Sequence, residues 1–377
     1  VQGRYILLKL LVFMQVVLLL PMAWGEAVPE LLGHGYEFAG NGKISGKEFA
    51  RMYEPGRPEF SSIAVTENFR AGIRLNSRLL KRIAAKNNFT VGNLQISGKQ
   101  LRSVGEILEK LAAAGEIKSL EQLELYQIKG EDSRGNVHFT GYFTPRLEVR
   151  EKADNVFRYP IYGLPKGAGK LPDREAIDQK GALAGQGLEL AYSKSLLDNF
   201  FLSVQGSGVL DFGDGKVKQI GYAGSNKRQY KSLGKMLVSN GSIPAEKISL
   251  RAIRKWFDQH PQQLVPMLNK NPSYTFFTWR PQEITGAAGV PLAAMHSVAV
   301  DKSCIPYGAC LLAEVPVLDS EGLLQEHQWR ILFAHDTGGA IRGPGHLDLF
   351  FGQGCEAGDR AGDLHHYGRV WLLLPKN

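Results

Sequence analysis

Between Ala334 and Gly354 the segment AHDTGGAIRGPGHLDLFFGQG sets Asp336, Arg342, His346 and Asp348 on consecutive turns just after an apolar run, Ile331 to Ala334. Asp348 lies between Leu347 and Leu349-Phe350-Phe351, so on an alternating strand its side chain shares a face with Phe350. Burial among aromatic rings raises a carboxyl pKa and keeps the group protonated at neutral pH, as a general acid requires. The glycine pair of DTGG lets backbone approach a ligand closely. A plainer reading has Asp336 and Asp348 capping turns beside glycines, the commoner fate of aspartate. A third has His346 and Asp348, with His335 or His365-His366, as ligands of a catalytic zinc in a peptidase or amidase. The HExxH spacing is missing from the sequence.

Such residues need strands and tight turns to hold them. The last hundred residues supply VPLAAMHSVAVD, CLLAEVPVLD, WRILFAHD and YGRVWLLLP, short apolar runs separated by turn signals, as in a small closed β-barrel. Earlier, residues 61–127 read as helical. Leu101, Val104, Ile107, Leu108 and Leu111 fall at helical spacing, and Gly115 follows as a stop signal. The pattern turns to aromatic and β-branched residues at Val137 to Val149, then to strands with Gly-rich turns over 156–235. Residues 245–269 return to an amphipathic helix, broken in its second half by Pro261 and Pro266.

A length of 377 residues with 44% hydrophobic content excludes a disulfide-stapled miniprotein and a disordered chain, and implies two or three domains. The 43 glycines argue against an all-helical protein. A net charge of +8 favours polyanionic partners, with nucleic acid, anionic lipid and acidic wall polymer all open on charge alone. Arg4 and Lys9, the apolar run from Leu10 to Met22 and the small residues around Trp24 read as an export signal cleaved near Gly25. Of the three cysteines, Cys304 and Cys310 flank a Pro-Gly turn. They are either a hairpin staple or, with Cys355, unpaired thiols.

The ordered motifs FTGYFTP (139–145), YPIYGLP (159–165), LAYSKSLLDNFFLSVQGSG (190–208), DFGDG (211–215), YAGSNKRQYKSLGK (222–235), NPSYTFF (271–277), VAVDKSCIPYGACLLAEVP (298–316), DTGGAIRGPGHLDLFFG (336–352) and AGDLHHYGRVW (361–371) resemble the membrane-bound lytic murein transglycosylase A family. The resemblance implies a mainly β fold with helices (α+β). Its double-psi β-barrel catalytic domain would comprise residues 26–137 and 275–377, its inserted β-domain residues 138–274, with a glycan groove between them. It also implies cleavage of the bond between N-acetylmuramic acid and N-acetylglucosamine by one aspartate, Asp348, acting as acid and then as base. Asp336 would be its positioning partner, and Asp301 matches a further characteristic acidic position.

Thr140, Gly141 and Tyr142 of FTGYFTP, and Gln205, Gly206, Ser207 and Gly208 of VQGSG, are the implied groove residues, offering an aromatic face and amide and hydroxyl groups to sugars. The expected partners are peptidoglycan glycan strands and other wall-synthesis or wall-lysis enzymes, without nucleic acid, metal or cofactor. The expected location is the periplasm. Typical family members are lipoproteins, whereas here no cysteine follows the apolar run, which leaves outer-membrane association open. A wall-binding barrel without catalysis is the remaining non-enzyme reading.

Overall fold

The computed structural model describes residues 52–130, 134–167, 169–244, 247–280, 285–338 and 341–376. The expected export signal lies outside these. The described residues divide into two units: 143–280 with 353–362, and 52–142 with 285–352 and 363–376.

The second unit is built on a nine-stranded sheet. Its spatial order is Tyr53–Pro55, Leu123–Ile128, Val370–Pro375, Cys310–Leu318, Leu324–Asp336, Ser297–Ala299, His346–Gln353, Val137–Thr144 and His365–Gly368. The central strands are apolar almost without interruption because both faces are buried. Leu311, Ala313, Leu332, Ala334 and Leu372 pack with Val298, Leu347 and Leu349. Their chain neighbours Leu312, Ile331, Phe333, Trp371 and Leu373 form the opposite layer with Phe69, Ile73, Val104 and Leu108.

Those last four belong to two helices. Glu67–Arg82 starts at Thr66, whose hydroxyl accepts from the Phe69 N–H, and Gly98–Ala112 starts at a reciprocal Ser97/Gln100 capping box. The helical expectation for 61–127 thus holds for these two elements only. Between them Asn88–Val91 and Leu94–Ser97 pair as a hairpin, turned at Gly92 with φ +55°. Leu123–Ile128 is a strand of the large sheet.

Glu314 is 1% exposed in the middle of this sheet and accepts from Nε and Nη2 of Arg369, at 2.6 and 2.7 Å. Arg369→Met removes the guanidinium and keeps the aliphatic packing, taking two charged donors away from the buried Glu314 carboxyl. We expect a loss of about 3 kcal/mol, near the low end for one partner of a buried pair, because Arg369 is itself partly exposed. A urea unfolding midpoint unchanged from wild type would refute this.

The first unit carries a six-stranded sheet in the order Thr275–Arg280, Val217–Ser225, Ser207–Asp211, Arg146–Arg150, Glu189–Ser193 and Tyr159–Tyr162. Leu147, Val149, Leu202, Leu210, Ile220 and Phe277 are among its core residues. The helix expected over 245–269 appears as Leu250–Gln259, a 3₁₀ turn at Pro261–Gln263 and Leu264–Asn269. The break falls at Pro261, which has no N–H to continue the first helix. Cys304, Cys310 and Cys355 are all free. The hairpin staple is therefore not formed; the Cys310 sulfur instead accepts from Asn76 Nδ2 at 3.3 Å.

Candidate active site

Asp336 ends the strand Leu324–Asp336 and Asp348 is the third residue of His346–Gln353. The short strand Ser297–Ala299 lies between them, and Ala299 is the register partner of both aspartates. The two backbones are therefore two strand spacings apart, about 10 Å. Alternation buries Asp348 to 2% exposure, with Leu347 and Leu349 turned to the other face of the strand, into the core with Val298, Leu332 and Ala334. Phe350, on the Asp348 face, packs against Tyr142 with ring centroids 5.2 Å apart.

Burial holds the Asp348 carboxyl well above the usual carboxylate range, and the nearby charge of Asp336 pushes the same way. A hydrogen bond from the Thr140 hydroxyl to Oδ1, at 3.3 Å, opposes both. On balance these surroundings favour the protonated acid over the carboxylate at Asp348. Asp336 is better solvated by the protein. Its Oδ1 accepts the Ala287 and Thr337 N–H groups, each at 2.8 Å, and its Oδ2 accepts the Tyr142 hydroxyl at 3.0 Å. Burial raises its pKa and these three donors reduce the rise. Two carboxyls with pKa values driven apart by their surroundings are the arrangement expected where one is acid and the other a fixed, oriented charge.

Asp301 lies two residues beyond Ala299. Its Oδ1 accepts the Ser303 N–H and hydroxyl, and its Oδ2 the Gly343 N–H at 2.9 Å. Burial opposes its ionisation, but these donors and the Arg342 charge outweigh it and lower the pKa. Asp301 thus anchors the loop that carries Arg342 and leads into the Asp348 strand.

The expected groove residues separate. Tyr142 is joined to Asp336. Thr140 was expected to face sugar through its side chain, but it is 2% exposed with its hydroxyl between Asp348 and His346. Gly141 lies on the same strand. Gln205, Gly206, Ser207 and Gly208 belong to the other unit. Gln205 ends the helix Leu196–Gln205, and Gly206 is its left-handed cap at φ +76°. Gly208 is required by packing, since a Cβ there would lie 2.3 Å from Leu202 Cδ1.

Of the zinc-ligand candidates His335, His346, Asp348, His365 and His366, three histidines have nitrogens already in use. His335 meets Ser297 Oγ at 2.8 Å, His346 meets Thr140 Oγ1 at 2.9 Å and His365 meets His138 at 2.7 Å. Among the described residues no group of three or more His, Cys, Asp and Glu is arranged to hold a metal ion. The His346–Thr140–Asp348 contact was not foreseen from sequence. Its trace there is that both FTGYFTP and GHLDLFF carry a polar residue at the same alternating positions as their apolar ones.

Comparison with known proteins agrees with this architecture. Residues 138–278 match the model for the MltA specific insert domain, and 296–374 that for the 3D domain. The chain is 43% identical over 295 residues to membrane-bound lytic murein transglycosylase A of Escherichia coli strain K12, covering 76% of this chain and 80% of that protein. To the Vibrio cholerae serotype O1 protein of the same name it is 45% identical over 280 residues, covering 72% and 75%. The crystal structure of E. coli MltA with bound chitohexaose matches with a TM-score of 0.75 at 36% identity, over 90% of this chain and 98% of that one.

The mixed α+β fold, strand-rich with an extra domain, is that of the double-psi β-barrel lytic transglycosylases. The chain belongs to the membrane-bound lytic murein transglycosylase A family. No helix among the described residues is long and apolar enough to cross a membrane.

Proposed function

We propose that this protein is a lytic transglycosylase that cleaves the β-1,4 bond between N-acetylmuramic acid and N-acetylglucosamine in peptidoglycan, in the bacterial periplasm. The observation that carries the reading is a buried Asp348, whose surroundings favour its protonated form, beside an oriented Asp336, in a chain whose relatives are named murein transglycosylases and one of whose structural counterparts holds chitohexaose.

Asp348 gives its proton to the glycosidic oxygen as the bond to the muramic anomeric carbon breaks. The carboxylate so formed takes the proton of the muramic 6-hydroxyl, whose oxygen bonds to the same anomeric carbon and closes a 1,6-anhydro ring. The proton count balances within one residue, and no water is consumed. Attack by a hydroxyl already tethered to the reacting ring gains from orientation, with effective molarities that reach roughly 10⁵ M and above in well-aligned cases. A hydrolytic glycosidase would instead need a second carboxylate, as nucleophile or as base for water. Here Asp336 spends its oxygens on three protein donors, which suits it to positioning.

Digestion of purified sacculi tests this. We expect products with anhydro-muramyl ends, lighter than hydrolytic ends by the mass of one water, and the same yield in excess EDTA. Products dominated by reducing muramic ends would make the protein a muramidase. Loss of activity with chelator, restored by zinc, would return the peptidase or amidase reading. Co-sedimentation with sacculi and no soluble product would leave a binding barrel.

A further inference from the structure

Asp348 has two oxygens, and a single-residue acid–base mechanism works best if one of them handles the proton in both steps. The strand Val137–Thr144 brings Thr140 against Asp348 so that its hydroxyl reaches Oδ1 at 3.3 Å, and the same hydroxyl oxygen lies 2.9 Å from His346 Nε2. Thr140, His346 and Asp348 are 2%, 6% and 2% exposed. A threonine hydroxyl has one proton and two lone pairs. With its proton directed at Oδ1, it meets His346 by accepting, which places the imidazole proton on Nε2. His346 is itself held: its ring lies 5.1 Å from that of His138, whose Nε2 meets His365 Nδ1 at 2.7 Å.

We propose that Thr140 and His346 are a positioning pair for Asp348: the histidine orients the threonine hydroxyl, which occupies Oδ1 and reserves Oδ2 for the proton exchanged with the glycan. The assignment rests on Asp348 being the acid and base. In the acid state Oδ1 is the carbonyl oxygen and accepts from Thr140 while Oδ2 bears the proton. In the base state Oδ1 still accepts from Thr140, and Oδ2 receives the proton of the muramic hydroxyl. The carboxyl need not rotate between the two steps, so the 6-hydroxyl meets its base where the leaving oxygen met its acid. Thr140 thereby acts on turnover through Asp348 and does not contribute to glycan affinity.

The test is steady-state kinetics on soluble peptidoglycan glycan strands, with melting temperature recorded for each variant. Thr140→Val keeps the shape and removes the hydroxyl. We expect kcat to fall about 10-fold, the size of one hydrogen bond to a group that becomes charged, with KM within about two-fold. Thr140→Ser, which restores the hydroxyl, should lie within about three-fold of wild type. His346→Phe should cost nearly as much as Thr140→Val, and the double variant no more than the worse single one, because the histidine acts only through the threonine. If His346→Phe does not fold, His346→Gln replaces it, and since its amide can still donate to Thr140 it should keep most of kcat.

A Thr140→Val enzyme with wild-type kcat, a rise in KM alone, or losses that multiply in the double variant would overturn the pair. Asp348→Asn, assayed alongside, separates the two layers of the argument. If it is inactive while Thr140→Val is unimpaired, the positioning pair is wrong and the acid stands. If it is active, the assignment of Asp348 itself fails.

Discussion

Asp348→Asn is expected to lower release of soluble muropeptides from sacculi by at least about 10²-fold, within the range of general acid–base catalysis, because one residue serves both proton transfers. The amide keeps the size of the carboxyl and can accept from Thr140 through its oxygen, but it can neither give up a proton to the leaving group nor take one back. Binding of soluble glycan strands by titration calorimetry should stay near wild type. Residual activity above about a tenth would rule the assignment out. A second consequence concerns stability. The native protein holds a proton on Asp348 at pH values where the unfolded chain, with a carboxyl pKa near 3.9, has lost it. Native protein thus binds more protons than unfolded protein, and wild-type stability declines as pH rises above that value. Asparagine does not titrate. The melting temperature of Asp348→Asn should therefore match wild type near pH 4 and exceed it increasingly as pH rises, until the raised native pKa is passed, the exchange of stability for function common at buried catalytic groups.

How much of this was legible in the sequence follows from the range of the interactions involved. Leu101, Val104 and Leu108 show their helix because the spacing that buries them is local. The burial of Asp348 could be read from Leu347, Leu349 and Phe350, since strand alternation is also local. The hairpin at 88–97 was read as helix because its strands are four residues each, too short for alternation to outweigh the strongly helical segments on both sides. Thr140 lies 208 residues from Asp348 and 206 from His346 in the chain. No pattern within either segment says which strands will be neighbours, so a threonine expected to face sugar is found facing the acid. The glycines of VQGSG resembled a ligand loop, whereas Gly206 caps a helix and Gly208 admits Leu202. Glycine's two uses, turning a chain and letting something close, leave the same mark in a sequence.

Asp336→Asn is expected to cost roughly 30- to 100-fold at pH 7 to 8, less than the change at Asp348, with a shift in the pH profile that distinguishes charge from shape. The amide oxygen of asparagine can keep the Ala287 and Thr337 N–H groups, and its nitrogen can donate to the Tyr142 oxygen once that hydroxyl turns away. The local structure survives, and what disappears is the negative charge. Of the groups facing Asp348, Thr140 lowers its pKa through a hydrogen bond and Asp336 raises it by repulsion. Tyr142 stays neutral, its own pKa raised by burial and by both aspartates. Without the Asp336 charge the Asp348 carboxyl ionises at lower pH, and because the first step needs it protonated, the alkaline limb of kcat/KM moves to lower pH. The loss should therefore shrink as pH falls, because protonation of Asp348 is then restored in the variant and only the orienting role of Asp336 is missing. A loss independent of pH would mean that Asp336 acts on the sugar alone and not through the protonation of its neighbour. A loss greater than that of Asp348→Asn would exchange the two roles, making Asp336 the acid and Asp348 the group that raises it.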